Sequence, residues 1–160
     1  MRTKELRILV YEYASEQELA QADKQLVQSA RRAASGAYAP YSHFCVGASL
    51  LLANGEVISG NNQENAAFPA GLCAERVALF YAQAQFPDVP ITALAVTAKN
   101  EQGFIAEPVK PCGSCRQALV ESEYRFNQPI RLILAGETRI EVFEGVETLL
   151  PFAFKPGSQG

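Results

Sequence analysis

The chain has 160 residues, of which 48% are hydrophobic and 19% are charged, a balance typical of a folded domain and unlike that of a disordered protein. Its 14 Lys and Arg residues against 17 Asp and Glu residues leave a net charge of -3, which argues against a nucleic-acid partner. The longest apolar-rich stretch, residues 91–98, is too short to span a bilayer, and no leader pattern is present. We therefore expect a cytoplasmic protein with reduced thiols and no membrane partner.

Apolar periodicity and turn signals predict that strands alternate with helices along the chain. A strand over 6–13 precedes a helix that begins at the capping-box pattern of residues 15–18 and ends near Gly36. The dipeptide Asn54-Gly55 predicts a tight hairpin between two strands. The remaining predicted elements are a helix over 73–85, a strand over 91–98, a loop over 100–110, a helix over 112–123, a hairpin over 130–143 and a helical turn over 146–150. This order predicts an α/β protein whose mixed sheet contains two hairpins and helical crossovers.

No linker or composition shift divides the chain, so we expect a single domain over residues 1–160. Within it, residues 1–14 form an N-terminal extension to which the sequence assigns no function. Residues 155–160 are predicted to be a mobile tail.

Three of the four cysteines lie at predicted helix starts, Cys73 at one and Cys112 with Cys115 at the other. A helix N-terminus lowers the pKa of a thiol, and metals bind the thiolate. Cys112 and Cys115 are three residues apart, so both project to one side of the first turn. If the two helices pack side by side, three thiolates can bind one tetrahedral zinc ion with an open fourth position, as in catalytic sites. Glu75 is then placed to contact whatever occupies that position, and we assign it the role of proton shuttle.

The pair of cysteines by itself also fits a redox motif or a structural zinc site. A redox motif follows a strand directly, whereas a long predicted loop precedes Cys112. A structural zinc site needs a fourth ligand, for which Cys45 and the single histidine, His43, remain. Both lie in a predicted strand pattern, and we interpret Cys45 as a small buried apolar residue and His43 as structural. The missing fourth ligand therefore favours a catalytic site.

Cys73-Ala-Glu75 followed by Pro111-Cys-Gly-Ser-Cys115 resembles the zinc signature of the cytidine deaminases in their three-cysteine form. Further motifs appear in the order of that family: Tyr38-Ala-Pro-Tyr-Ser-His-Phe44, Val46-Gly-Ala48, Gly60-Asn-Asn-Gln-Glu-Asn-Ala66, Cys73-Ala-Glu-Arg76, Pro111-Cys-Gly-Ser-Cys-Arg-Gln117 and Leu149-Leu-Pro151. The resemblance implies a three-layer cytidine-deaminase-like fold, in which a mixed five-stranded sheet has helices on both faces. The predicted N-terminal strand is an addition to that sheet.

The resemblance implies one Zn²⁺ per chain, held by Cys73, Cys112 and Cys115, which activates water for attack on C4 of a pyrimidine, as in zinc deaminases generally. It implies that Glu75 takes the water proton, passes it to ring N3 and later protonates the departing amine. In the family, the arginine that follows the signature donates to a zinc-bound sulfur, which here is Arg76. Position alone leaves open that Arg76 is a solvated helix residue.

The resemblance also implies substrate contacts and an oligomer. Asn62 and Glu64 match the motif that binds the ribose 3′-hydroxyl, and the Ala66 region matches backbone that contacts the base. Phe44 and Phe154 match aromatic residues that wall the base pocket. Phe154 would come from a neighbouring subunit, which implies a homotetramer with shared active sites, unless it anchors the C-terminal tail to the core. A carboxylate near the sugar repels phosphate, so a free nucleoside is favoured over a nucleotide.

Together these features predict a zinc-dependent hydrolase that deaminates cytidine and deoxycytidine to uridine and deoxyuridine plus ammonia in pyrimidine salvage. The alternative is a deaminase of the same superfamily that acts on another aminated heterocycle or nucleoside analogue, against which Asn62, Glu64 and residues 65–71 argue. The net charge of -3 disfavours a polynucleotide-editing deaminase. The open fourth position and Glu75 disfavour a non-enzymatic zinc module.

Overall fold

Seven strands form one mixed sheet within residues 1–155, which are the residues that the computed structural model describes. The elements in chain order are β1 (Tyr11–Tyr13), α1 (Gln21–Ala34), β2 (Cys45–Leu52), β3 (Val57–Asn61), α2 (Ala74–Gln85), β4 (Ile91–Asn100), β5 (Gly103–Phe104), α3 (Gly113–Phe126), β6 (Arg131–Ala135) and β7 (Ile140–Glu144). The strand order is β1-β7-β6-β4-β2-β3, with β5 paired to β4, and β4 runs parallel to β6. The predicted mixed α/β fold with an added N-terminal strand is confirmed, and β5 lies within the segment predicted as a loop.

Helices cover both faces of the sheet, which gives the expected three layers. α1 packs on one face, where Leu26, Val27 and Ala30 are buried. α2 and α3 pack on the other face, where Leu79 and Leu119 belong to the larger buried cluster. Because β4 is covered on both sides, its sequence is a nearly continuous apolar run instead of an alternating one.

The N-terminal region differs from its prediction in two respects. Only three residues of the predicted strand pair with β7, and residues 6–10 stay exposed. The predicted helix start is instead a 3-10 turn over Glu16–Glu18, and α1 begins at Gln21. The backbone is extended at Leu19 and Ala20, and Leu19 is buried in the cluster that α1 forms with the sheet. Burial of this leucine therefore interrupts the helix that the local pattern predicts.

The C-terminal segment is described only in part. Residues 156–160 of the predicted mobile tail lie outside the described residues. Lys155, the first residue of that predicted tail, pairs with the Glu147 carboxylate at 2.5 Å. The helical turn predicted just before this segment is a 3-10 turn over Val146–Leu149.

A close contact between α2 and β3 determines where the second helix begins. A β-carbon at Gly60 would lie 2.6 Å from the Ala78 nitrogen and 2.8 Å from the Ala74 carbonyl oxygen, distances that real side chains do not tolerate. Glycine therefore allows the first turns of α2 to lie directly on the sheet. α3 packs beside α2 on the same face, so the starts of both helices meet.

Candidate active site

Three cysteine side chains meet where α2 and α3 begin. Cys73 and Cys112 are the N-cap residues of the two helices, and Cys115 is buried in the first turn of α3. The Sγ atoms of Cys73 and Cys112 are 3.9 Å apart, those of Cys112 and Cys115 are 3.5 Å apart, and all three lie within 4.8 Å of one another. A tetrahedral zinc ion with Zn–S bonds of about 2.3 Å places its sulfurs about 3.8 Å apart. The observed spacing fits such an ion.

The charges within this cluster also favour a cation. Burial raises the pKa of the Cys115 thiol, and repulsion from the Glu75 carboxylate raises it further. Burial alone would raise the pKa of Cys112 as well, but hydrogen bonds from the Cys115 N–H and from the neighbouring thiols outweigh it, so that pKa is lowered. Ionising all three thiols beside a carboxylate costs free energy, which a bound divalent cation offsets.

Glu75 brings an acid–base group to the cluster. It lies in the first turn of α2, and only 5% of the residue is exposed. Burial raises the pKa of its carboxyl above the ordinary value, although the Cys115 thiol and the Arg76 guanidinium partly oppose this shift. A carboxyl whose pKa is shifted toward neutrality is suited to accept and return a proton.

Arg76 faces the cysteine cluster, as the resemblance implies. Its Nη2 atom lies 3.7 Å from the Sγ atom of Cys73. The hydrogen bond to this sulfur raises the pKa of the guanidinium, so Arg76 is charged throughout the physiological range. The half-buried side chain is therefore not a freely solvated helix residue.

A cavity of about 800 Å³ adjoins the cluster, which is a typical volume for a small-molecule site. One part of its lining comes from the helix starts, and we call it the helix side: Cys73, Ala74, Glu75, Arg76 and Cys112. A second part comes from two loops, and we call it the loop side: Tyr41, Ser42, Phe44, Asn62, Gln63, Glu64, Asn65, Phe68, Gly71 and Leu72. The cavity thus joins a metal-binding cluster to a polar and aromatic wall.

Glu64 organises the first loop of the loop side. Its carboxylate accepts hydrogen bonds from the Tyr41 N–H at 2.9 Å, the Ser42 N–H at 3.3 Å and the Ser42 hydroxyl at 2.5 Å. The Ser42 hydroxyl contributes most to a lowered pKa of Glu64, and the Tyr41 N–H comes next. The loop side therefore presents a carboxylate that stays ionised well below neutral pH.

Asn62 holds the start of β2 in a similar way. Its Nδ2 donates to the Phe44 carbonyl at 2.9 Å, and its Oδ1 accepts from the Val46 N–H at 2.7 Å. These two bonds keep Phe44 at the cavity. The amide retains a second N–H and a second lone pair for a ligand.

Comparison with known proteins identifies the family. The sequence profile of the cytidine and deoxycytidylate deaminase zinc-binding region matches residues 20–127. This chain belongs to that deaminase family. The match spans both helix starts of the cysteine cluster and all of the residues that line the cavity.

Individual deaminases show the same relationship. A cytidine deaminase from Halalkalibacterium halodurans is 46% identical over 96 residues, which are 60% of this chain and 68% of that protein. One from Mycobacterium tuberculosis is 37% identical over 118 residues, which are 72% of this chain and 84% of that protein. The crystal structure of cytidine deaminase from Burkholderia pseudomallei has a TM-score of 0.71 at 35% identity, covering 85% of this chain and 100% of that one.

Zinc is the cofactor of this deaminase, because the family profile is a zinc-binding region and the three cysteines offer a matching set of sulfur ligands. Cys45 and His43 lie outside that set. Cys45 lies at the start of β2 and is half-buried, so its prediction as a small buried apolar residue needs correction. His43 is 65% exposed, with Nδ1 3.7 Å from a carboxylate oxygen of Glu101. Within residues 1–155, no helix of the deaminase is long and apolar enough to cross a membrane.

Two residues that the resemblance assigns to the substrate lie apart from the cavity lining. Ala66 is exposed beside Asn65, which does line the cavity. Phe154 is 65% exposed, so its ring does not anchor the tail to the core. Its backbone is nevertheless held, because the Gln117 side chain donates to the Phe154 carbonyl at 2.7 Å and accepts from its N–H at 3.2 Å. The deaminase thus presents this aromatic ring on its surface.

Sequence reasoning missed two residues in or near the site. Gln117 lies inside the family motif of residues 111–117, and this position was the signal that could have identified it. Lys110 lines the cavity and is bound to Glu141, which lies 31 residues further along the chain. No local pattern connects these two residues, because only the tertiary fold brings β7 beside the segment before α3.

Proposed function

We propose that this chain is a zinc-dependent cytidine deaminase, which hydrolyses cytidine and deoxycytidine to uridine and deoxyuridine with release of ammonia. The observation that carries the proposal is the buried Glu75 carboxyl beside three convergent cysteines at one side of a nucleoside-sized cavity. Similar proteins from several bacteria are cytidine deaminases. Cys73, Cys112 and Cys115 would hold Zn²⁺, a Lewis acid that would lower the pKa of a bound water to about 7.

Glu75 carries the protons of the reaction. Its carboxylate accepts a proton from the attacking water and delivers it to ring N3. It then takes the second proton from the new C4 hydroxyl and passes it to the departing amino group, as the C4–N bond breaks and the C4 carbonyl forms. One water is consumed, and one ammonia leaves. The buried position of Glu75 supports this role, since it favours the neutral form between the two transfers.

Arg76 tunes the metal ligands. Three thiolates and one Zn²⁺ carry a formal charge of -1, which weakens the ion as a Lewis acid. The guanidinium that donates to Cys73 withdraws electron density from one thiolate and offsets part of this charge. Arg76 is thus a positioning and tuning residue that acts through the sulfur.

The loop side selects the substrate. Glu64 and Asn62 bind the ribose hydroxyls, and their mutual spacing is held by the bonds that each makes to residues 41–46. The ionised Glu64 repels a phosphate, which favours nucleosides over nucleotides. Phe44 forms one wall for the base, and the Ala66 region contributes backbone contacts.

We also propose a homotetramer in which Phe154 completes the site of a neighbouring subunit. Its exposed ring and its fixed backbone support this role, because an aromatic residue that is ordered yet unburied is typical of an interface. A cytoplasmic location suits the site as well, since the free cysteines must stay reduced to bind zinc.

A substrate panel tests the function. Zinc-loaded protein is incubated with cytidine, deoxycytidine, deoxycytidylate and free cytosine, and deamination is followed by ultraviolet absorbance and by ammonia release. We expect turnover of both nucleosides and weak activity on deoxycytidylate. Lack of nucleoside turnover, with activity on another aminated heterocycle, would support the superfamily alternative instead.

Subunit mixing tests the shared site. Glu75→Gln chains retain Phe154, and Phe154→Ala chains retain Glu75, so a hybrid contains some complete sites. We expect mixed, reassembled chains to be more active than either variant alone and light scattering to give the mass of four chains. A monomer, or mixtures without recovered activity, would contradict the shared site but leave the deaminase chemistry untouched.

A further inference from the structure

A buried carboxylate on β7 lies outside the machinery described so far. Glu141 is 6% exposed, and its two oxygens lie 2.9 and 2.8 Å from the Nζ atom of Lys110. The Nη2 atom of Arg139 lies 3.3 Å from the same carboxylate. A buried carboxylate is tolerated only when its charge is paired. Lys110 and Arg139 supply this pairing and so allow Glu141 to be buried on β7.

The N-terminal strand adds negative charge to this face of the sheet. β1 places Glu12 directly opposite Glu141, and like charges in that position destabilise a sheet. Arg139 offsets the repulsion by pairing with both carboxylates, with Glu12 at 3.6 Å and with Glu141 at 3.3 Å, and it also pairs with Glu107 at 2.5 Å. The carboxylates of Glu12, Glu107 and Glu141 therefore surround Arg139, and Lys110 is the second cation of this group.

The segment that leads to α3 is anchored on the turn between β6 and β7. Backbone hydrogen bonds of 2.9 and 3.1 Å join residues 137–138 to residues 105–106. A β-carbon at Gly136 would lie 2.3 Å from the Ala106 carbonyl oxygen, which shows how closely the segment packs there. The bond from the Lys110 side chain to Glu141 adds a further anchor, two residues before Cys112.

Cys112 is the zinc ligand that most needs this support. Cys115 is buried in α3 and Cys73 is half-buried, whereas Cys112 is exposed and gains little from packing. Its Sγ position therefore depends on the backbone that precedes it. The Pro111 carbonyl accepts a hydrogen bond of 2.8 Å from the Arg116 Nε–H, and the preceding Lys110 is held by Glu141 on β7.

We propose that Lys110 and Glu141 are positioning residues that hold the zinc ligand Cys112 in place, an inference that rests on the proposed function. They act through the backbone of residues 110–112 and make no contact with the reacting atoms. Without the pair, this backbone moves more freely and the Cys112 thiolate leaves the metal more often. Zinc is then lost faster, and fewer sites are competent at any moment.

The test uses Glu141→Gln in the zinc-loaded enzyme, because this change keeps the side-chain shape and removes its charge. We expect zinc to pass to an excess of a chromophoric chelator about tenfold faster than from wild type, with kcat about tenfold lower. KM should stay within about twofold, since neither Lys110 nor Glu141 is among the residues proposed to bind the nucleoside. The single variant Lys110→Arg retains the cation and should release zinc at nearly the wild-type rate. Glu107→Gln, which removes a carboxylate of the same network that is bound to Arg139, serves as the control.

A double variant separates positioning from stability. Lys110→Met with Glu141→Leu removes both charges without leaving either one buried and unpaired, so the protein should fold. Fast zinc release in this variant at an unchanged free energy of unfolding would support positioning. Wild-type zinc release in both Glu141→Gln and the double variant would overturn the proposal. Wild-type protein that neither retains zinc nor turns over nucleosides would refute the proposed function instead.

Discussion

The two sides of the cavity place a carboxylate in opposite surroundings. On the helix side, Glu75 is buried beside the cysteine cluster, and burial raises the pKa of its carboxyl. On the loop side, Glu64 accepts hydrogen bonds from Ser42 and Tyr41, which lower the pKa of its carboxyl. The same functional group is therefore suited to carry a proton in one place and to remain charged in the other.

Under the proposed function, this difference divides catalysis and substrate recognition between the two sides. The helix side is held by packing, since Gly60 places α2 directly on the sheet. The loop side is held by side-chain to backbone hydrogen bonds from Glu64 and Asn62. We expect variants on the helix side to change kcat or zinc retention and variants on the loop side to change KM.

Glu75→Gln should have the largest effect. The amide keeps the size of the carboxyl but cannot take the proton of water, so kcat should fall by about 10²–10⁴-fold while one zinc per chain remains bound. Steady-state kinetics with metal analysis checks this. Substantial activity in the variant would contradict the proton-shuttle role and the division between the two sides.

Arg76→Gln should weaken zinc binding about 10- to 100-fold, because the guanidinium no longer donates to the Cys73 thiolate. Competition with a chelator of known affinity measures the change. Arg32→Gln, an exposed arginine on α1, is the matched control and should bind zinc as wild type does. Equal zinc affinity in the two variants would mean that Arg76 does not tune the site.

Gln117→Ala should release the Phe154 backbone and raise KM about tenfold with little change in kcat, since two hydrogen bonds of about 1 kcal/mol each are lost. Gln28→Ala, at an exposed position of α1, controls for loss of a helical glutamine. Steady-state kinetics over a range of cytidine concentrations gives both constants. A fall in kcat at constant KM would mean that Gln117 acts in the chemical step and not in substrate binding.

Glu64→Gln should have the smallest effect of these variants. It should change the thermal stability of the protein by an amount that depends on pH. A carboxyl whose pKa is lowered by folding stabilises the protein above its unfolded pKa, and this contribution is lost as pH falls through the folded pKa. The Tm difference between wild type and variant should therefore be present at neutral pH and shrink in acid. Glu121→Gln, which removes an exposed carboxylate on α3, is the matched control and is measured over the same pH series.

Much of the site could be predicted because its chemistry is local. Cys73 and Glu75 share one helix start, Cys112 and Cys115 share another, and their spacing along the chain already places each set on one side of a first turn. Position alone left Arg76 undecided between a solvated residue and a sulfur contact. Its direction depends on how α2 packs, which the local sequence does not contain.

Other features could not be predicted because they join distant segments. The capping pattern at residues 15–18 did not begin α1, since burial of Leu19 outweighs a local helix signal. The bond between Gln117 and Phe154 links α3 to the C-terminal segment, and its partners lie 37 residues apart.

The sequence by itself determined the class of fold, and it predicted the cysteine cluster and Glu75 as the candidate acid–base residue, because periodicity, helix starts and ligand spacing are properties of neighbouring residues. Only the tertiary structure decided that the Sγ atoms of the three cysteines lie within 4.8 Å of one another, that Arg76 turns toward Cys73 and that Lys110 is bound by Glu141. These contacts arise when both faces of one sheet are covered. Packing against the sheet sets distances and burial that no short stretch of sequence specifies.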